Sequence, residues 1–423
     1  MSARRDQPDA MPLAEPPALP MAEPLVLPRA DPPAVPLVVH LIYRLDCGGL
    51  ENLLVERINR MAPQCYRHAI VCLTGYTAFA RRIGRPDVTL HALDKPAGAA
   101  PGTHLHLWRL LRRLQPAILH TYNLSALEYA PAALLAGVPI RINGAHGRDA
   151  ADPLGRNPRH RLLRRLMLPF YDHCYSNSAD LLTWARTEIG VPVHKSRLLP
   201  NGIDTDRYRP PRAGDPAGPL HRYFGAGMLV IGSVGRIEAV KDHASLVRAF
   251  ALLVARRPDL APRLRLAIVG DGPLLPALRA QVAVAQLAHC VWLPGARADV
   301  AELLRELAVF ALPSLAEGTP GAALEAMASG LAVVGSAVGG VGEVVADGAT
   351  GLLVPAADSH ALAAALERYA DAPALLARHG AAARARVLQH YAMDAMVAAY
   401  QALYDELCER KFTLRKRNPS CAE

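Results

Sequence analysis

From Leu37 onward the chain repeats one unit: a short apolar run, then about ten to fifteen residues with apolar positions at helical spacing. The first series comprises LVVHLIY at 37–43, HAIVCL at 68–73, VTLHAL at 88–93, AILHT at 117–121, PIRING at 139–144, HCYSNS at 173–178 and SRLLP at 196–200. After a polar, Pro/Gly-rich stretch at 201–227 a second series begins, with MLVIGSVG at 228–235, LRLAIVGDG at 264–272, CVWLPG at 290–295, VFALPS at 309–314, LAVVGS at 331–336 and GLLVP at 351–355. Strands in alternation with helices predict parallel sheets covered on both faces. The chain is read as α/β, with two tandem doubly wound, Rossmann-like domains at 37–205 and 206–388 facing across a cleft.

Ahead of them, residues 1–36 hold ten prolines, and AEPPALP at 14–20 recurs nearly unchanged as ADPPAVP at 30–36. Proline removes backbone donors and favours an extended chain, so this segment is expected to be a disordered, unpacked spacer. No uncharged apolar run approaches the length of a membrane-spanning helix, and the N-terminus lacks the apolar stretch of a secretory signal. The expected location is therefore the cytoplasm.

The seven cysteines (Cys47, Cys65, Cys72, Cys174, Cys290, Cys408, Cys421) show no CxxC pair or metal-ligand spacing and are read as reduced thiols. The formal charge of +9 comes far more from Arg than from Lys, which favours phosphate-bearing or anionic partners. Zinc-finger spacing and aromatic-studded basic strands are missing, so nucleic acid is not the expected partner.

In doubly wound sheets, ligands gather beyond the carboxyl ends of the strands, and those positions are the first candidates. After the first run, Asp46-Cys47-Gly48-Gly49 opens a helix; small residues there let backbone N–H groups approach a phosphate or sugar. After MLVIGSVG come Arg236 and Lys241, with Asp242 a suitable N-cap. An Arg fork and a Lys point charge at one helix mouth suit a diphosphate. Gly270-Asp271-Gly272-Pro273 lacks the dinucleotide spacing and is read as a tight structural turn. His120 and His146 are expected at strand ends facing the cleft.

EGTPGAALEAMASG at 317–330 places two glutamates eight residues apart around a turn. Thr319 is read as helix cap and Pro320 as the first helical residue, which leaves Glu317 before the helix and Glu325 within it. A carboxylate accepts from two adjacent hydroxyls, so one glutamate can hold a hexose diol and the other a ribose diol. Between them, free N–H groups near Gly321 and Ala322 can meet phosphate oxygens. Sugar, phosphate and ribose in that order make a nucleotide sugar.

Tandem doubly wound domains, Glu-x7-Glu and an upstream Arg/Lys pair resemble the retaining glycosyltransferases of family four, with the GT-B fold. The resemblance spans about residues 37–410 and is carried by SVGRIEAVKD, VGDGPL, VWLPGARADV, LPSLAEGTPGAALEAMASG, AVGGVGEVV, GLLVP, LIYRLDCGGLENLLV and LLPNGIDTDRY. Its amino-terminal phrase is most similar to sugar transferases of bacterial exopolysaccharide and exosortase-associated loci. The resemblance implies that Arg236 and Lys241 bind the diphosphate, Glu325 the ribose and Glu317 the donor sugar within the Gly318-Thr319-Pro320-Gly321 turn. Gly48 and Gly49 then lie beneath the donor phosphates, His146 near a hydroxyl of the transferring sugar, and Leu293 to Arg297 where the base docks. Thr319-Pro320-Gly321 departs from the residues usual in the family and bears on donor-sugar preference.

For mechanism, the resemblance implies transfer of a hexose-type sugar with retention, by front-face attack, with the leaving diphosphate doing the proton work. No metal and no cofactor are expected beyond the nucleotide-diphosphate sugar as donor. A helix at 389–410 is expected to cross back onto the first domain, ahead of a basic tail at 411–423, making cleft closure a step in turnover. The acceptor side is a glycan or polyprenyl-phosphate-linked sugar. RNPRHRLLRRLMLPFY at 156–171, with five arginines among leucines, reads either as a basic amphipathic helix on the anionic inner face of the cytoplasmic membrane or as a helix packed on the sheet with a solvated Arg face. Two alternatives share the architecture: a nucleotide-sugar 2-epimerase, or a catalytically silent nucleotide- or glycan-binding subunit.

Overall fold

A computed structural model describes residues 35–149, 152 and 154–417. The proline-rich spacer up to residue 34 and Cys421 lie outside the described residues. Each apolar run becomes a strand. In the first domain these are β1 (Leu37–Leu45), β2 (Arg67–Tyr76), β3 (Thr89–Ala92), β4 (Ile118–Tyr122), β5 (Ile140–Ala145), β6 (His173–Ser176) and β7 (Ser196–Leu198). In the second they are β8 (Leu229–Val234), β9 (Leu264–Val269), β10 (Val291–Gly295), β11 (Val309–Leu312), β12 (Val333–Ser336) and β13 (Gly351–Val354).

Both sheets are parallel throughout, in the orders β3-β2-β1-β4-β5-β6-β7 and β10-β9-β8-β11-β12-β13. The strand order reverses between β1 and β4 in the first sheet and between β8 and β11 in the second. These two switch points are where an open α/β sheet leaves a crevice for ligand.

The chain passes between the domains twice. Ile203 on the outward crossing and Ala392 on the return form an isolated parallel bridge, with Ile203 N–H donating to the Tyr391 carbonyl (2.8 Å) and Met393 N–H to the Ile203 carbonyl (3.0 Å). Arg60 of the first domain pairs with Asp204 (2.6 Å) and Asp394 (2.9 Å), one on each crossing. The final helix, Met393–Arg417, lays Met393, Met396, Val397, Tyr400, Leu403, Tyr404 and Leu407 into the core of the first domain, against Val38, Ile118, Ile140 and Tyr175.

Close approach of the two crossings requires Gly202: a Cβ there would stand 2.8 Å from Met396 Cβ and 2.9 Å from Met393 Cα. Gly202→Val should therefore destabilise the fold by about 1–3 kcal/mol, the usual cost of overpacking. Gly102→Ala, in open space on the Pro101–Leu114 helix, should hold or raise stability. Thermal melts of both variants check the contrast.

Candidate functional site

Loops from both switch points converge between the domains. After β8 the chain makes a single 3-10 turn at Ala239–Lys241, and Asp242, in the left-handed region (φ 46°), caps the His243–Arg256 helix by accepting from Ser245 N–H. That cap is the one read from the sequence. Gly270 and Gly272 pack the turn after β9 against this loop; a Cβ at either would strike the carbonyl oxygens of Gly235 or Ile237. The turn is thus structural.

Lys241 and Glu317 meet directly, Nζ to Oε1 at 2.6 Å, and the same carboxylate oxygen accepts from Ser314 Oγ at 2.6 Å. Arg236 instead projects with its side chain 66% exposed, paired only with Glu238 (3.1 Å). The sequence places both cations at one helix mouth; in the folded chain one is held by a carboxylate and the other is open to the cleft.

The helix after Glu317 starts one residue later than expected. It spans Gly321–Ala328 with Pro320 at the N-cap position and no side-chain cap, so N–H groups of its first turn remain open beside exposed Gly321. Thr319 is not the cap, because its hydroxyl donates to the Asn177 carbonyl in the other domain. Gly318 lies where a Cβ would be 3.0 Å from the His146 carbonyl oxygen and 3.2 Å from Asn177 Oδ1. Asn201 Nδ2 donates to the Thr319 carbonyl (3.4 Å), and the backbone of Gly339-Gly340 presses on Glu317 and Gly318 so closely that a Cβ at either would clash. The turn that carries Glu317 is fixed from both domains.

Glu325, half-buried one and a half turns into the helix, has its carboxyl pushed up to about 7 by burial; Tyr208 and Arg207 oppose this by favouring the charged form. Across the cleft, Gly48 is the N-cap of the Gly49–Arg60 helix, and Glu51 folds back over it; a Cβ at Gly48 would collide with the Glu51 carboxylate. Burial also raises the Glu51 carboxyl, while its own backbone N–H and Arg236 of the second domain favour ionisation.

His146 follows β5. Its backbone N–H donates to Asn123 Oδ1 (2.8 Å), and its Nε2 lies 2.9 Å from Tyr175 Oη. Burial and the Arg57 guanidinium lower its pKa to about 3, which makes it a neutral imidazole. His120 does not face the cleft: it sits within β4, fully buried, between Tyr404 and Tyr175. Leu293 and Arg297 lie on and after β10, the edge strand, two strands from the switch point; Arg297 stacks over Trp292 (5.2 Å) and pairs with Asp299.

Sequence reasoning missed Glu51, Ser314, Tyr175 and Asn177 as site residues. Asn177 was within reach, since it stands at the carboxyl end of β6, where strand-end candidates are sought; Tyr175 carried no signal, being interior to a strand.

A family profile described as "Glycosyl transferases group 1" matches residues 229–372, and one described as "Glycosyltransferase Family 4" matches residues 47–207. The chain belongs to glycosyltransferase family 4. It is 32% identical to the protein named glycosyltransferase EpsF of Bacillus subtilis over 70% of this chain and 77% of that one. With a D-inositol 3-phosphate glycosyltransferase of Streptomyces scabiei, identity is 33% over 85% and 86% of the two chains. Two others of that name, from Stackebrandtia nassauensis and Streptomyces griseus, are matched over about half their length (52% and 50%). Among solved structures, Anabaena HepE in complex with UDP and glucose superposes with a TM-score of 0.73 at 20% identity, covering 88% of this chain and 100% of that one. Sucrose-phosphate synthase of Thermosynechococcus elongatus superposes with a TM-score of 0.70, also at 20% identity, covering 88% of this chain and 99% of that one. These similarities show this glycosyltransferase to have the GT-B fold, with its two Rossmann-like domains.

The raised carboxyl of Glu325 has a defined consequence. The folded protein holds that proton more firmly than the unfolded chain, so ionising it costs stability as pH rises from about 4.5 to about 7 and no more above. Glu325→Gln should gain on the wild type across that interval, by at most about 3 kcal/mol, and the gap should then stay constant. Paired thermal melts across this range test it.

Proposed function

We propose that this glycosyltransferase moves a hexose-type sugar from a nucleotide-diphosphate sugar to a glycan or polyprenyl-phosphate-linked acceptor, with retention, in assembly of exopolysaccharide or another cell-surface glycan. The observation that carries the reading is the uncapped helix Gly321–Ala328, preceded by Glu317, which Lys241 and Ser314 hold, and carrying Glu325, with Arg236 exposed on the loop after β8. That arrangement supplies acceptors for two diols and donors for the phosphates between them. The likeness to HepE in complex with UDP and glucose supports the same donor class.

As the glycosidic bond breaks, negative charge grows on the leaving diphosphate. In this reading Arg236, Lys241 and the first-turn N–H groups at Gly321 stabilise it, without a metal or other cofactor. His146 would meet a hydroxyl of the donor sugar, and Gly48-Gly49 the phosphates from below. Leu293 and Arg297 are assigned to the base. Attack by the acceptor on the face the diphosphate leaves gives retention, with the departing phosphate taking the proton. Loss of a charge-stabilising group of this kind costs on the order of 3 kcal/mol in barrier.

The first experiment is a thermal-shift screen against UDP-, GDP-, ADP- and dTDP-sugars, because a ligand that binds the folded state raises its apparent stability. One nucleotide series should stabilise the wild type, and Glu325→Ala and Arg236→Ala should lose the shift. No shift from any series at millimolar concentration would overturn the donor assignment.

Membrane contact through residues 156–171 is part of this reading. The helix found there is shorter, Pro158–Met167: Leu163 and Met167 pack inward and Arg164 is buried at 9% exposure over Trp184, while Leu162 and Leu166 are 56% and 57% exposed. Exposed Leu105, Leu134 and Leu135 belong to the helices Pro101–Leu114 and Ala130–Leu135. None of the three helices contains an acidic residue. Outward leucines among arginines suit an anionic lipid surface, on the inner face of the cytoplasmic membrane in this reading. Among the described residues no helix is long and apolar enough to cross it. Vesicles containing phosphatidylglycerol should co-float the wild type, and Leu162→Asn with Leu166→Asn should abolish this; equal flotation of both proteins would sink the assignment.

A further inference from the structure

Behind His146 runs a buried chain of polar side chains that nothing in the transfer reading uses. Tyr404, on the final helix, meets one hydrogen-bond partner among the described residues, His120 Nδ1 at 2.7 Å. His120 Nε2 lies 3.0 Å from Tyr175 Oη, and Tyr175 Oη lies 2.9 Å from His146 Nε2. A second branch passes from Arg57 to Tyr122 Oη, on to His40 Nδ1 (3.0 Å), and from His40 Nε2 to His68 Nδ1 (3.0 Å).

One proton arrangement satisfies these contacts in order. A buried hydroxyl gives its proton to the acceptor it faces, so Tyr404 donates to His120 Nδ1. A neutral imidazole then has its single N–H on Nε2, which donates to Tyr175 Oη. Tyr175 in turn donates to His146 Nε2. His146 is left protonated at Nδ1, an atom with no hydrogen-bond partner among the described residues and with Asn201, whose Oδ1 also lacks one, as its polar neighbour. On the other branch Tyr122 receives from Arg57 and donates to His40, so it does not compete for His120 despite its 3.2 Å approach. Tyr400, with the Arg57 guanidinium 4.0 Å over its ring, is a further hydrogen-bond partner of the Tyr175 hydroxyl; a phenol oxygen that accepts from both Tyr400 and His120 still gives its one proton to His146.

Arg57 is fully buried and makes no carboxylate pair among the described residues. Besides burial, it is the shared influence that holds His40, His68, His120 and His146 neutral. Neutral rings have distinct donor and acceptor nitrogens, so the chain has a direction; imidazolium rings, donors at both nitrogens, would abolish it.

We propose that Tyr175 and Tyr404 are positioning residues that fix His146 as its Nδ1–H tautomer, leaving that buried N–H beside Asn201, where the two domains meet, as the donor for a neutral hydroxyl. Where the hydroxyl belongs to a donor sugar, this rests on the function proposed above; the tautomer itself does not. The returning helix is then a working part of the site, through a phenol three hydrogen bonds from His146.

The test is 15N-histidine NMR of the full chain without ligand, with the His146 ring signals assigned by their loss in His146→Asn. In the wild type Nδ1 should appear protonated and Nε2 unprotonated. Tyr175→Phe should move Nε2 out of the unprotonated, hydrogen-bonded range. Tyr404→Phe should reverse the chain: His120 takes the Nδ1–H form toward Tyr122, Tyr175 donates to His120 Nε2, and His146 turns to Nε2–H. Tyr171→Phe, a buried tyrosine outside the chain bonded to Thr121 and the Leu127 carbonyl, should leave His146 unchanged. A wild-type His146 protonated at Nε2, or one unmoved by both Tyr175→Phe and Tyr404→Phe, would overturn the proposal. Because no sugar enters the measurement, it stands or falls separately from donor binding.

Discussion

Every feature of the site depends on the two chain crossings being locked to one another. A bridge at Ile203 and Ala392, with Arg60 paired to both strands of the crossing, fixes how one sheet stands against the other. The switch-point loops converge because of it. At the far end of the interface the contacts are few and polar: Thr319 to Asn177, Asn201 to Thr319, and Glu343 accepting from the N–H groups of Ala179 and Asp180. Rotation about the crossing would break only such bonds, each worth about 1 kcal/mol net, and would leave both cores intact. Opening and closing of the cleft is therefore the motion the architecture resists least.

The first domain bears a cost that the second does not. Its core takes in Arg57, the neutral histidines His40, His68 and His120, and the phenols of Tyr122, Tyr175, Tyr400 and Tyr404, where apolar side chains would pack at lower desolvation cost. The network is nearly closed on itself, which limits the penalty; Arg57 Nε and His68 Nε2 are left without partners. Its other end, His146 Nδ1, is likewise buried and without a partner among the described residues, beside Asn201, whose Oδ1 lacks one too.

The architecture was legible in the chain because parallel strands buried on both faces leave continuous apolar runs, and each of the runs read from the sequence forms a strand. Site residues at strand ends were legible for a related reason: topology alone sends them to one rim. What escaped were facts of tertiary contact. Thr319 has the chemistry of a cap and the right position, yet the Asn177 carbonyl outcompetes the helix for its hydroxyl. Of the two readings of Pro158–Met167, the one with a solvated Arg face does not hold for Arg164, which lies inward over Trp184 while Leu162 and Leu166 stand outside. His120 was assigned to the cleft by its neighbours in sequence, when its partner Tyr404 lies nearly three hundred residues further on, at a separation of 284. Local pattern carries no record of such a pairing.

The two cations read from the sequence, Lys241 and Arg236, stand in different settings. Lys241 is neutralised by Glu317 at 2.6 Å, and the pair is largely sheltered, with side-chain exposures of 23% and 9%. A sheltered pair holds both groups in place before any ligand enters, which is the condition for stabilising charge that develops later, in a transition state, without reorganisation. Arg236, two-thirds exposed and paired only to Glu238, is not preorganised in that sense. Its charge extends into solvent and reaches Glu51 in the other domain, so it acts at a distance on whatever approaches the cleft. The geometry thus sorts two residues that look equivalent in sequence: Arg236 stands out in solvent, and Lys241 is held in a fixed place by Glu317.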